Sequence, residues 1–214
     1  MTFESDLDHT APPANRFFES GSLSAVIPQH LYDRVASIAT QIGFEEPVDT
    51  IKPWFMGIVL TVGLQMRSGA VWGGVDRALW DQAKSVRKPI FVLERSEVFE
   101  KIDAVPISEA IAALEYVAMR PDESVAQLSR IFDAWRDADQ SAIDRAFSRM
   151  SQLAPTIYRC LFDERNRLWL PAFLKAVRSN RRALFVVGCG HIAYGSASIK
   201  ILLQEAGLSL EAVL

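Results

Sequence analysis

The feature that most constrains the fold is the stretch at residues 184–191, with the sequence LFVVGCGH. Four strand-forming residues are followed by Gly188, Cys189 and Gly190 and then by a histidine. An apolar run that stops at closely spaced glycines predicts a buried strand ending in a tight turn. His191 would then stand at the carboxyl end of a strand, which is where open α/β sheets bind their ligands.

The residues after this turn predict a helix and a further strand. Apolar residues recur at helical spacing from Ile199 to Ala206, Ser196 or Ser198 is available as N-cap, and Gly207 can end the helix. Residues 208–212 then alternate between apolar and polar as strands do. Residues 183–214 are therefore predicted to form a C-terminal βαβ unit.

A second strand is predicted at residues 90–93, with the sequence IFVL, and it runs directly into Glu94. Almost everything else between Leu23 and Ser179 has helical periodicity, interrupted by prolines and glycines. The predicted fold class is α/β, with a small mixed sheet and a large helical portion. Glu94 would occupy the same kind of position as His191, although a carboxylate at a strand end is also a common solvated residue.

Composition excludes several classes of protein. Half of the 214 residues are apolar, which is enough for one sizeable core, and we predict a disordered tail at residues 1–20 and a single domain at 21–214. The 23 basic and 26 acidic residues give a net charge of −3 with no basic cluster, so no nucleic-acid partner is expected. The most apolar run, residues 55–66, is too short to span a bilayer, and residues 1–15 do not read as a signal peptide. Localisation is not fixed by these features and is cytoplasmic by default.

Two further interpretations of the glycine turn remain open. Gly188-x-Gly190-x-x-Ala193 between a strand and a helix matches the dinucleotide fingerprint, in which the glycines let a pyrophosphate approach the backbone. Alternatively, Cys189 and His191 could act as a nucleophile and its base. The two other histidines are weaker candidates for a functional role, since His9 lies in the predicted tail and His30 lies beside the apolar face of a helix.

Several short motifs, in order, resemble the TraB/PrgY/GumN family, which includes the Tiki metalloproteases. The closing Gly188-x-x-His191 resembles the family's C-terminal Gly-x-x-His motif. The other matching segments are Lys52-Pro53-Trp54, Gly74-Val75-Asp76, Leu93-Glu94 and Arg165-Asn166. Together they run from about Leu23 to the C-terminal end.

The resemblance implies a metal-dependent hydrolase of the peptidase type, with a peptide or small molecule as substrate. On this view His191 and Glu94 are ligands of a divalent metal, Mn, Co or Zn, and Glu94 is alternatively a general base. Arg165 and Asn166 would orient the substrate or stabilise developing charge. Relatives of the GumN type are associated with bacterial exopolysaccharide gene clusters, which implies a place in the cell envelope and polysaccharide biosynthesis.

The main departure from the family pattern lies in the N-terminal part of the chain. The family places another Gly-x-x-His motif in an N-terminal strand, and neither His9 nor His30 has a glycine three residues before it. We therefore expect the C-terminal part of the family domain, with an incomplete ligand set, and a sheet edge left free for self-association. A non-catalytic accessory or binding protein on the same scaffold is the alternative function.

Overall fold

The strands are short, and helices occupy most of the chain. The computed structural model describes residues 1–8, 12–71, 73–94, 97–179 and 182–211, and His9 lies outside them. The strands are β1 (Thr2–Phe3), β2 (Phe91–Val92) and β3 (Phe185–Val186). The helices are α1 (Leu23–Val26), α2 (Gln29–Gln41), α3 (Pro53–Arg67), α4 (Gly74–Ser85), α5 (Glu97–Asp103), α6 (Ile107–Met119), α7 (Pro121–Arg136), α8 (Gln140–Leu153), α9 (Pro155–Tyr158), α10 (Glu164–Arg178), α11 (Cys189–Ala193) and α12 (Ile199–Glu205).

The three described strands form one sheet in the order β2-β1-β3. Both pairings are parallel, with Thr2 opposite Phe91 on one side and Phe185 on the other. The predicted α/β class with a large helical portion is confirmed, as are strands within residues 90–93 and 183–187. The sheet is parallel throughout its described strands rather than mixed.

Residues 1–8 and 12–20 do not form the predicted disordered tail. β1 is the central strand of the sheet, and Phe3 is buried against Trp80 and Val186, with ring centroids of Phe3 and Trp80 5.0 Å apart. Further along, Phe18 N–H donates to the Thr50 carbonyl and Lys52 N–H donates to the Arg16 carbonyl. The sequence showed no sign of β1, because this strand has only two residues and one of them, Thr2, is polar.

The predicted βαβ unit is only partly formed. Ser198 is the N-cap of α12, with its hydroxyl accepting from Ile201 N–H, and Gly207 follows the helix with φ of 84°. Residues 208–211, however, are neither helix nor strand, and 212–214 lie outside the described residues. The alternation at 208–210 is therefore not explained by strand pairing.

The helical portion holds the main core. Residues of α1, α2, α3 and α6 form the largest buried cluster, in which Leu31, Val35, Met56, Leu60 and Leu114 are almost fully buried. These helices follow the 3.6-residue periodicity of their apolar residues. Among the described residues, no helix combines the length and the apolar character needed to cross a membrane.

One turn of π-helix, Arg159–Asp163, joins α9 to α10. Such a wide turn inserts a residue into the helical register and commonly lies at a functional site. Here it precedes Arg165 and Asn166 in the first turn of α10. The π-helical turn thus lies next to the residues that face the carboxyl edge of the sheet.

Candidate active site

The candidate site lies where the three parallel strands end. Glu4 follows β1 and Glu94 follows β2, and the two are tied together by a hydrogen bond from Glu94 N–H to the Glu4 carbonyl of 3.0 Å. The turn after β3 brings in Gly188 and His191. Because parallel strands share the direction of their carboxyl ends, these side chains meet at one edge.

The Arg165 guanidinium lies at the centre of this cluster. Its Nε donates to Glu94 Oε2 at 2.9 Å, and its Nη2 donates to the other Glu94 oxygen and to Glu4 Oε2 at 3.0 Å. Its Nη1 donates to the Leu161 carbonyl at 2.9 Å and faces His191 Nε2 at 3.3 Å. All five N–H groups of the guanidinium therefore have a protein acceptor. Bidentate pairing to a carboxylate with little solvent exposure is the strong form of this interaction.

Asn166 fixes the protonation of His191. Its Nδ2 donates to the carbonyls of His191 and Ala197, at 3.2 and 2.9 Å, which leaves Oδ1 as an acceptor. His191 Nδ1 lies 2.7 Å from that oxygen and so carries the ring proton. The other ring nitrogen, Nε2, is then an unprotonated acceptor directed at Arg165 and lying 3.6 Å from Glu4 Oε1.

The surroundings of His191 keep the ring neutral. It is 3% exposed, and its ring packs against Trp169 and Phe162 with centroid separations of 4.5 and 5.0 Å. Burial, with a smaller contribution from the Arg165 charge, lowers the pKa of His191 to about 3. At neutral pH the imidazole accepts a hydrogen bond and carries no charge.

The convergence of Glu94, Arg165 and His191 expected from the sequence is present, and Asn166 joins them. Their catalytic roles stay predictions. Sequence reasoning missed Glu4, which accepts from Gly188 N–H through Oε1 and from Arg165 through Oε2. A signal existed, since Thr2-Phe3-Glu4 repeats in short form the apolar-then-acid pattern that ends at Glu94.

The glycines of the turn have partners other than a nucleotide. Gly188 N–H donates to the Glu4 carboxylate, so an acidic side chain occupies the position that a phosphate would need. A Cβ on Gly190 would lie 2.5 Å from a ring carbon of Phe147, so this glycine is required by packing. The described geometry therefore gives the dinucleotide interpretation no support.

The Cys189 interpretation also lacks support. Burial raises the pKa of the Cys189 thiol, whereas an activated nucleophile needs a lowered one. The ring nitrogens of His191 are directed at Asn166 and Arg165 instead. Cys189 packs beside Phe147 and Tyr158, as a small apolar residue would.

A resident metal does not fit this arrangement. No three His, Cys, Asp or Glu side chains within the described parts of the chain are grouped so that they could hold one ion. The acceptors of Glu4, Glu94 and His191 instead surround the Arg165 guanidinium, and a divalent cation placed among them would meet its charge directly. The expectation that His191 and Glu94 ligate Mn, Co or Zn has no support in this geometry.

The fold and the site define the chain as an α/β protein with a polar cluster at the carboxyl edge of a parallel sheet. The TraB/PrgY/gumN family model matches residues 5–212, nearly the whole chain, and the chain belongs to this family. The resemblance carried by the short motifs is thereby confirmed. No curated protein and no solved structure gave a significant match.

The segment Lys52-Pro53-Trp54, which resembles the family, lies outside the candidate site. Lys52 Nζ contacts both carboxylate oxygens of Asp103 at 2.8 Å, and Trp54 Nε1 donates to the same carboxylate at 2.8 Å. Lys52-Pro53-Trp54 thus joins the start of α3 to the end of α5. It stabilises the helical portion and contributes no side chain to the strand-end cluster, which consists of Glu4, Glu94, Arg165 and His191.

Proposed function

We propose that this chain is a hydrolase whose reaction centre is the strand-end cluster, with the Arg165 guanidinium in place of a metal ion as its cation. The observation that carries the proposal is the set of acceptors around Arg165, namely two carboxylates and an unprotonated imidazole nitrogen. Hydrolysis requires a base and a positive group at one place, and this cluster contains both.

Glu4 is the best placed general base. Its side chain is 23% exposed against 13% for Glu94, so it is the carboxylate with more access to water. Glu94 uses both oxygens on Arg165, whereas Glu4 uses one. His191 is a poor candidate for the base, because its ring is 3% exposed and its unprotonated nitrogen is directed at the Arg165 guanidinium.

In the proposed reaction a water molecule attacks a carbonyl carbon while Glu4 takes one of the water's protons. Negative charge develops on the carbonyl oxygen, and Arg165 Nη2 exchanges its hydrogen bond to Glu4 for one to this oxygen. Glu4 then delivers the proton to the leaving nitrogen or oxygen as the bond to carbon breaks. The products are a carboxylic acid and an amine or alcohol. Glu94 and His191 hold the other edges of the guanidinium in place.

The family resemblance makes peptides the first substrate class to test. We would measure cleavage of a fluorogenic peptide library and of p-nitrophenyl esters, with a chelator present throughout. Glu4→Gln is expected to lower kcat/KM by roughly 100-fold or more, which is the usual range for loss of a general base. Glu46→Gln is the matched control, since Glu46 is also paired with an arginine, Arg16, outside this cluster.

Two outcomes would contradict this proposal. One is hydrolysis at the same rate in Glu4→Gln as in the unmodified chain. The other is hydrolysis that appears only when Mn²⁺, Co²⁺ or Zn²⁺ is added, which would restore the metal-dependent mechanism implied by the family.

A non-catalytic role as an accessory or binding protein of the bacterial envelope or of exopolysaccharide production is the second candidate. It is favoured by the complete pairing of Arg165, which leaves no donor free for a substrate unless an existing bond opens. In that case the cluster is a structural connection between β1, β2 and α10. The envelope association rests on the resemblance alone.

The Glu4→Gln variant distinguishes the hydrolase from the non-catalytic role. If the chain is non-catalytic, no substrate of the panel is cleaved above the background of Glu4→Gln. Glu94→Gln is expected in either case to lower the free energy of unfolding by about 3 kcal/mol, because it breaks a bidentate ion pair whose side chains are only 12% and 13% exposed. Loss of activity in Glu4→Gln, with an unchanged free energy of unfolding, would instead favour the hydrolase.

A further inference from the structure

An apolar cavity of about 340 Å³ lies within the helical portion, separate from the strand-end cluster. Its walls come from α3, α6, α7, α8 and α9. Apolar side chains make up most of the lining, among them Trp54, Ile58, Val117, Leu128 and Met150. This volume is near the lower end of the range for small-molecule sites, roughly 300 to 1,000 Å³, so it suits one alkyl chain better than two.

The polar groups in the wall are already hydrogen bonded to the protein. Thr61 Oγ1 donates to the Gly57 carbonyl at 2.7 Å, and Ser124 Oγ donates to the Arg120 carbonyl at 3.0 Å. The Tyr116 hydroxyl donates to Gln127 Oε1 at 3.1 Å. The body of a ligand in this cavity would therefore meet hydrocarbon and few free polar groups.

A basic cleft borders the cavity. It is lined by Arg130, Arg145 and Arg149, and it shares Gln127 and Ala146 with the apolar cavity. Arg149 pairs with Glu123 at 2.7 Å and lies over the ring of Tyr116, which lines the cavity. Within the described residues, Arg130 and Arg145 make no ion pair. Two arginine side chains without a close ion-pair partner among the described residues thus lie beside an apolar space.

We infer that this cavity binds a single-chain amphiphile with an anionic head, a fatty acid, with the alkyl chain inside and the carboxylate at Arg130 and Arg145. The charge of the cleft selects an anion, and the hydrocarbon walls select an alkyl chain. The inference is independent of the proposed hydrolytic reaction, because it uses none of the residues of the strand-end cluster.

Isothermal titration calorimetry with octanoate, decanoate and dodecanoate tests the inference on the full chain. Affinity is expected to rise by about fourfold for each methylene group that enters the cavity. Dodecanol, which has the same chain and no charge, is expected to bind more weakly than dodecanoate. The difference between the two should shrink as salt is added, because the arginines are exposed to solvent.

Two sets of variants test whether dodecanoate binds in this cavity and beside these arginines. Ala113→Phe on α6 and Ala146→Phe on α8 fill the cavity and are expected to weaken dodecanoate binding at least tenfold. The double variant Arg130→Gln/Arg145→Gln is expected to weaken dodecanoate by roughly fivefold to tenfold and to leave dodecanol unchanged. Arg178→Gln, a surface arginine of α10 that does not line the cavity, is the matched control.

Several results would overturn the inference. They are affinity that does not depend on chain length, equal binding of dodecanoate and dodecanol, and binding unaffected by a folded cavity-filling variant. Binding of an uncharged apolar peptide in place of dodecanoate would also overturn it. If both phenylalanine variants fail to fold, the chain-length series and the arginine variant still decide the question.

Discussion

Asn166 determines which ring nitrogen of His191 carries the proton, because its side-chain oxygen accepts from Nδ1. Its side chain is fully buried, and its three hydrogen bonds go to the imidazole and to two backbone carbonyls. The sequence suggested a role in orienting substrate, but the structure shows contacts to the protein itself. Asn166 is therefore a positioning residue, which acts through His191 and the turn after β3.

Asn166→Ala is expected to lower the free energy of unfolding by about 3 kcal/mol or more. The variant leaves His191 Nδ1–H and two carbonyls without partners in a buried site, and each such group costs roughly 1 to 3 kcal/mol. Urea denaturation followed by circular dichroism measures the change. Gln152→Ala, which removes an exposed amide bonded only to Ser148, should cost less than about 0.5 kcal/mol. A loss as small as that for Asn166→Ala would show that water or a shifted side chain replaces the amide.

The lowered pKa of His191 also predicts how the free energy of unfolding depends on pH. Its pKa is about 3 in the folded chain, against 6.5 for an unperturbed histidine. Between these values the unfolded state binds a proton that the folded state does not, so stability falls as pH decreases from 6.5 towards 3. The slope reaches about 1.4 kcal/mol per pH unit from this group.

The pH prediction is checked by urea denaturation at several pH values between 7 and 4. The unmodified chain should lose roughly 2 kcal/mol more than His191→Gln between pH 6 and pH 4. Charged groups facing the ring, Glu4 and Arg165, are the same in both proteins and cancel in the comparison. The His191 ring resonance in NMR spectra should stay constant from pH 7 to pH 5. A midpoint near pH 6.5 for that resonance would contradict a buried neutral imidazole.

At the scale of elements, β1 is short but central. It supplies the backbone partners of both other strands and carries Phe3 into the cluster with Trp80 and Val186. It also places Glu4 beside Arg165. The two residues of β1 therefore connect the sheet, the apolar cluster around Phe3 and the candidate site.

Phe3→Ala is expected to lower the free energy of unfolding by about 3 to 5 kcal/mol, because it removes a buried aromatic ring. Phe91→Ala on the neighbouring strand β2 is the matched control. Phe3 is 2% exposed and Phe91 is 63% exposed, so the control should cost less than about 1 kcal/mol. Thermal or urea denaturation measures both. Equal effects would mean that β1 is not packed in the sheet as described.

At the scale of the whole molecule, the sheet links parts of the chain that are far apart in sequence. Each of its strands comes from a different region, so no single region can form the sheet alone. Loss of the sheet would also separate Glu4, Glu94 and Arg165. We expect the chain to unfold as one cooperative unit.

Cooperative unfolding is tested by comparing two probes in one urea titration. Far-ultraviolet circular dichroism follows the helices, and tryptophan fluorescence includes Trp80 and Trp169 near the sheet and site. The two transitions should have the same midpoint, as two-state unfolding requires. An earlier fluorescence change would show that the sheet and the helical portion unfold separately, against the predicted single domain.

Residues with a long periodic pattern were predicted well. The helices and the strands at β2 and β3 follow from apolar spacing, and strand-end geometry was enough to expect that Glu94 and His191 meet. Arg165 was added to them by the family resemblance. β1 was missed because two residues carry no periodicity, and Glu4 was missed with it. Phe132 and Trp135 share an apolar stripe of α7 with Val125 and Leu128, yet they are 60% and 48% exposed. Apolar spacing alone therefore does not determine which residues of a helix are buried.

The pairing of β1 with β3 has a consequence for the order of folding. Thr2 is made long before its partner Phe185, because most of the described chain lies between them. Contacts so distant in sequence form slowly, because the loop between them must first be closed. Until then β1 is an unpaired strand with an apolar ring, and such segments pair with wrong partners. The yield of folded protein should therefore depend on how long the first few residues are protected during synthesis.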